Sequence, residues 1–155
     1  MRFHLIDRVT EIDPGRGLRA RKLTSHAEPY WRSARMPVPL IVESFCQAAA
    51  WLIYAGSGGR ERGLVLQFGH IEAHGPVLAG DVVDIAVDVV SATDTSMVVR
   101  GTASVDGVIV VTLEDIMCAI TEAGGLEDTR STSDRQATVF AGTVVADTAS
   151  AGAAA

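Results

Sequence analysis

The sequence predicts an α+β fold in which one antiparallel sheet wraps round one long buried helix. Three observations predict it. Residues 39–54 carry Ile41, Val42, Phe45, Ala48, Ala49 and Leu52 at the i, i+3, i+4, i+7 spacing of a helix, and the segment is apolar nearly all round. Two strand-like stretches precede it. Four longer strand-like stretches follow it, with no further helix among them. A run of antiparallel strands and a single buried helix pack most economically as a sheet curled over that helix.

Each element has a local reason. Residues 5–12 read as extended, and Asp13-Pro14-Gly15 has the order of a turn. Residues 17–24 alternate and close an N-terminal hairpin. Residues 25–35 form an irregular loop. Pro39 suits the first helical position, where an N–H would be unpaired anyway, and Gly56, Gly58 and Gly59 stop the helix. Residues 64–72 are the next strand. Val83, Ile85, Val87 and Val89 share one face of the strand at 81–89, and Met97, Val99, Gly101, Ala103 and Val105 one face of its neighbour. Asp106-Gly107 is a two-residue hairpin turn. Residues 108–120 are apolar enough for the middle of a sheet. This is the hot-dog arrangement, and its free sheet edges imply a dimer. The domain is placed at 1–120. Residues 121–155, rich in Ala, Ser, Thr and Gly, are expected to be a flexible tail, in which 138–140 or 143–145 adds a short strand or packs on a partner.

Charge and composition narrow the function. The first 62 residues hold ten of the thirteen Lys and Arg against six of the nineteen acids; the remainder hold three against thirteen. The net charge of −6 argues against nonspecific nucleic-acid binding. The longest apolar run, interrupted by Glu43, reads as too short to span a membrane. Cys46 and Cys118 fall in apolar elements and read as small buried hydrophobes, so a cytoplasmic setting is expected. His70, Glu72 and His74 share one face of a strand, but neighbours on a flat strand converge poorly on one ion, so no metal is expected.

One acid stands out. Glu43 lies on the buried helix, with Gln47 one turn on. A carboxylate there must be paired, protonated or put to use, and burial is expected to raise its pKa toward that of a proton donor near neutral pH.

Four stretches carry a family resemblance. They are Leu5-Ile6-Asp7-Arg8-Val9 with Asp13-Pro14-Gly15; Ala27-Glu28-Pro29-Tyr30-Trp31; Met36-Pro37 with Leu40-Ile41-Val42-Glu43 and Gln47-Ala48-Ala49; and Pro76-Val77-Leu78-Ala79-Gly80-Asp81. In this order and spacing, residues 3–120 resemble the 3-hydroxyacyl-[acyl-carrier-protein] dehydratases of fatty-acid and polyketide synthesis. The resemblance implies that water is removed from a 3-hydroxyacyl thioester carried on the phosphopantetheine of an acyl carrier protein, with no other cofactor. A His takes the α-proton, a helix Glu protonates the leaving hydroxyl, and amides at the helix N-terminus polarise the carbonyl. It further implies that the two catalytic groups come from opposite subunits. It puts Glu43 in the acid's place with Gln47 to orient it. It puts Met36, Pro37, Val38, Trp31 and Phe68 against the substrate, and Arg32, Arg35, Arg60 and Arg62 at a docking surface for the acidic carrier protein.

This chain departs from the family at the base. Where the family has Gly-His-Phe-Pro, it has only Arg32-Ser33-Ala34-Arg35, and neither Arg is a base at neutral pH. His26, the nearest His in sequence, precedes Glu28-Pro29 and substitutes poorly. Val38 stands where the family has Gly, and Pro39 has no N–H. The expectation is a half-site: the chain supplies Glu43 and a His-bearing partner subunit supplies the base. A self-dimer would be a poor dehydratase. Three alternatives remain: a structural subunit with Glu43 idle, a hot-dog acyl thioesterase, and an acyl-binding protein without turnover.

Overall fold

The computed structural model describes residues 3–31, 33–126 and 128–146. Strand β1 (Arg8–Asp13) turns at Pro14 and Gly15, where Gly15 takes φ +82°, and returns as β2 (Gly17–Leu23). The loop 24–37 leads into helix α1 (Val38–Gly56). Its start puts Pro39 one residue further in than expected, still within the first turn, where no helical hydrogen bond is lost. Strands β3 (Glu61–Gln67), β4 (His70–Ala73), β5 (Val82–Ala92), β6 (Ser96–Val105) and β7 (Val108–Glu122) follow. The β6–β7 turn carries φ +50° at Asp106 and +79° at Gly107, the two left-handed positions that such a hairpin requires.

The strands form one sheet in the order β3-β7-β6-β5-β2-β1-β8, and β4 continues beyond β3 alongside β7. The fold is α+β and hot-dog in layout: α1 lies against one face of the sheet. Ile41, Phe45, Ala48, Ala49 and Leu52 are buried there with Val87, Val99, Ala103, Leu113 and Ile116. Phe45 sits on Gly101 of β6. A Cβ at that glycine would lie 2.7 Å from Phe45 Cε2 and 1.8 Å from the Ala86 carbonyl oxygen, so helix and sheet meet at this depth only without a side chain.

The structure corrects four expectations. The strand expected over 64–72 breaks at Phe68-Gly69, because Gly69 packs 2.6 Å, measured from an added Cβ, against Asp115 of β7, itself at φ +54°. A second helix, α2 (Thr129–Val139), follows the sheet after a short 3₁₀ turn at Ala123–Gly125. Its polar sequence hid it, but Asp128 caps it by accepting hydrogen bonds from the N–H groups of Arg130 and Ser131. Residues 138–139 therefore end a helix. Val144–Val145 do form a short strand, β8, and it runs parallel to β1, so the sheet is mixed. The remainder of the expected tail, residues 147–155, lies outside the described residues. Finally, α1 is long and apolar enough to cross a membrane by length and composition. Here it is instead the helix that the sheet packs against, with Phe45, Ala48 and Ala49 fully buried.

Candidate functional site

The sheet covers one face of α1 and leaves the other to form the floor of a cleft of about 720 Å³. Glu43, Cys46, Gln47, Ala50 and Trp51 make that floor. Gly63, Leu64 and Val65 of β3 make one wall, and Thr132 and Arg135 of α2 with its cap Asp128 another; Phe3 and His4 also line it. The cleft exists because β3 is an edge strand and α2 stands off from it across the helix.

Glu43 is exposed in this single chain, not buried as expected, because its stripe of the helix faces away from the sheet. It is nonetheless held. Gln47 Nε2 donates to Glu43 Oε1 at 2.9 Å. The same amide donates to the Phe3 carbonyl oxygen at 3.1 Å, and its Oε1 accepts from the Leu5 N–H at 2.8 Å. One side chain thus fixes the acid and clamps the N-terminal segment to the helix. Cys46, between them, is inert: burial first, then the nearby Glu43 carboxylate and Cys118, push its thiol up to about 12. Because the thiolate is the nucleophile, native Cys46 is expected to resist iodoacetamide at pH 8 and to react once urea unfolds the chain. Rapid alkylation of the native protein, mapped to Cys46 by peptide mass, would contradict this.

Of the other residues singled out from the sequence, Arg62 alone among those described reaches the cleft. Met36 is buried, its N–H donating to the Val77 carbonyl oxygen at 2.8 Å. Pro37 and Val38 open α1, about 8 Å along the axis from Glu43 at 1.5 Å per residue. Pro37, at the N-cap, makes no side-chain hydrogen bond to that end of the helix. Phe68 is exposed at the β3–β4 break, and Trp31 packs against His26 and Tyr30. Arg35 precedes α1 and Arg60 follows it. A 19-residue helix is about 28 Å long, so the two do not share one patch. Arg62 lies over the rings of Trp51 and Tyr54, 5.6 and 5.5 Å from their centroids, at the cleft wall. Arg32 lies outside the described residues. His70 on exposed β4 and His74 just past its end flank Glu72, 3.7 and 4.0 Å from its carboxylate oxygens, and no metal-ligand cluster occurs among the described residues.

The loop bearing Trp31 is anchored by a buried cation on β2. Lys22 is almost wholly buried; its Nζ bonds to Glu28 Oε1 at 2.5 Å, to Asp7 Oδ2 at 3.3 Å and to the Leu23 carbonyl oxygen. Glu28 also accepts from the Ser25 N–H and from Trp31 Nε1. Burial alone would raise the Glu28 carboxyl, but these hydrogen bonds, Lys22 foremost, outweigh it and hold it below its ordinary value. That contribution to stability is complete above the unfolded carboxylate's titration and is lost as pH falls through the lowered folded value. Lys22→Met is expected to cost about 3 kcal/mol in urea unfolding at pH 7, by leaving Glu28 and Asp7 without their cation. A loss below roughly 0.5 kcal/mol would show that water replaces the ammonium.

Comparison with known proteins agrees with this architecture. The FabA-like domain family matches residues 1–114. The 3-hydroxyacyl-[acyl-carrier-protein] dehydratase FabZ of Proteus mirabilis is 33% identical over 125 residues, spanning 76% of this chain and 83% of the relative. FabZ of Yersinia enterocolitica is 34% identical over 125 residues, spanning 76% of this chain and 74% of its own length. Among solved structures, smu.793 of Streptococcus mutans bound to acetyl CoA superposes with a TM-score of 0.64 at 15% identity, covering 79% of this chain and 94% of that one. The dehydratase heterocomplex ApeI:P of Xenorhabdus doucetiae superposes with a TM-score of 0.61 at 14% identity, covering 84% and 88%. At such identities the structures speak to the fold, whereas the sequence matches carry the family: the chain belongs to the 3-hydroxyacyl-[acyl-carrier-protein] dehydratase family, with a FabA-like domain as its body.

Proposed function

We propose that this chain is the acid-bearing subunit of a 3-hydroxyacyl carrier-protein dehydratase in fatty-acid or polyketide synthesis. One observation carries the reading: Glu43, in the family's acid position, is oriented by Gln47 in an open cleft beside an edge strand. Glu43 gives its proton to the leaving 3-hydroxyl. The base comes from a partner whose loop His reaches into the cleft, making a heterodimer of which this chain is half. The free edge of β3 supports pairing there, with Leu64, Leu66 and Phe68 exposed along it and at its end. The occurrence of this fold in the Xenorhabdus heterocomplex favours the same arrangement here. The substrate arrives on phosphopantetheine, and a cytoplasmic setting follows from that carrier.

The test is a dehydration assay on a 3-hydroxyacyl carrier-protein thioester. The mixture with a His-bearing partner is expected to exceed the chain alone by about 100-fold or more. Equal rates would reject the half-site, and release of free acid in place of the enoyl thioester would indicate a thioesterase. Arg35 and Arg60, at opposite ends of α1 and so not in one patch, serve carrier docking as two separate contacts. Reversing both to Glu is expected to weaken carrier-protein binding by roughly tenfold at low salt, with the difference fading near 1 M salt. Unchanged affinity at low salt would remove these arginines from the docking surface.

A further inference from the structure

The half-site reading leaves the α-proton acceptor to another chain, yet the cleft contains a histidine. Of the four His residues, His70 lies on exposed β4 and His74 just beyond it, and His26 packs against Trp31 with ring centroids 5.5 Å apart. Only His4 lines the cleft that holds Glu43. Its position is built. The residues on either side of it bond to Gln47, Phe3 through its carbonyl oxygen at 3.1 Å and Leu5 through its N–H at 2.8 Å. Gln47 in turn bonds to Glu43. A single amide therefore sets the His4 backbone and the Glu43 carboxylate in register. Leu5 is buried, whereas His4 is exposed and lines the cleft.

We propose that His4 is the chain's own α-proton acceptor, supporting a slower dehydration that needs no His-bearing partner. The inference rests on the reading of Glu43 as proton donor. Neutral imidazole takes the proton from Cα. The electron pair forms the Cα–Cβ double bond as the Cβ–O bond breaks. Glu43 delivers its proton to the departing hydroxyl, which leaves as water. The proton on His4 returns through solvent to the Glu43 carboxylate, so both groups are restored and nothing is oxidised or reduced.

Proton abstraction is separable from dehydration. Butyryl-pantetheine has no 3-hydroxyl and cannot lose water, but a base positioned at Cα exchanges its α-protons for deuterium in D₂O. The chain alone is expected to catalyse this exchange, read by mass spectrometry. His4→Gln is expected to slow it about 100-fold or more, while His70→Gln leaves it unchanged. Both Gln47 bonds use the backbone of residues 3 and 5, so His4→Gln keeps the clamp. Added imidazole is expected to restore part of the exchange in His4→Ala, which a folding defect would not allow. No exchange by the chain alone, or exchange indifferent to His4, would overturn the proposal and leave the half-site reading standing. His4-dependent exchange without turnover of 3-hydroxybutyryl-pantetheine by the chain alone would overturn the partner-free dehydration, and the half-site reading is then decided separately by the assay with a His-bearing partner.

Discussion

Glu43→Gln is expected to lower dehydration of a 3-hydroxyacyl carrier-protein thioester by about 10²–10⁴-fold, whether the chain is assayed alone or with a partner. The amide has the size of the carboxyl group and keeps a carbonyl oxygen for Gln47, so the hydrogen bond that orients the side chain survives. What it lacks is a proton to give the leaving hydroxyl. The side chain is exposed on the cleft floor, so the urea midpoint is expected to stay at the wild-type value. The loss therefore falls on kcat, with the apparent affinity for the thioester retained. Gln47→Leu separates orientation from chemistry. It leaves the carboxyl in place but frees it, together with the backbone of residues 3 and 5, and should lower turnover less than loss of the acid itself. Full activity of Glu43→Gln in the mixture would make this chain a structural subunit.

Gly101→Ala is expected to destabilise the fold by about 3 kcal/mol or more, the upper range for overpacking and beyond. The new methyl would stand 1.8 Å from the Ala86 carbonyl oxygen and 2.7 Å from Phe45 Cε2. The first contact is with backbone of the neighbouring strand, which moves only if the β5–β6 ladder opens. The second is with the ring that seats α1 on the sheet. Relief by either route displaces the helix whose far side carries Glu43. Gly124→Ala is the control: an added Cβ there meets nothing within 4 Å, and its effect should stay within about 0.5 kcal/mol. Equal urea midpoints for wild type and Gly101→Ala would show that the two layers slide apart at little cost.

The fold was legible where periodicity is strong. The 3.6-residue repeat through Ile41, Phe45, Ala48 and Leu52 marks α1, and strict alternation through Val83, Ile85 and Val87 marks β5, because each pattern has a single packing solution. Helix α2 was not legible. Its sequence, Thr129 to Val139, has little apolar content, and it is held by tertiary contacts that no local pattern announces: Arg135 Nη2 to the Ile6 carbonyl oxygen at 3.0 Å, and Phe140 against Trp51 with centroids 5.8 Å apart. At the site, Glu43 and Gln47 were readable as an i, i+4 pair on one helical stripe. Their environment is not readable, since apolar periodicity predicts burial on every side and does not show that an edge strand leaves one side of the helix open. His4 escaped notice because its neighbour in the cleft is 39 positions away in sequence, and only the Gln47 clamp brings the two segments together.

The C-terminal segment ties itself to the first strand. Arg8 Nη2 donates to the Ala141 carbonyl oxygen at 2.7 Å, Thr143 Oγ1 to the Val9 carbonyl oxygen at 2.7 Å, and the Ala146 N–H to the Ile12 carbonyl oxygen at 2.9 Å. Each contact joins residues more than 130 positions apart. Because α2 forms one wall of the cleft, that wall depends on residues that are made after strands β1 to β7 of the sheet. A growing chain with the central strands already paired still lacks it, and closing so long a loop is among the slower steps open to a small domain. During synthesis the floor of the cleft, with Trp51 and Ala50, stays uncovered along that side until residues 128–146 have emerged. The cleft is therefore completed after the sheet that it borders, and a ligand that needs both walls meets them only once residues 128–146 have docked.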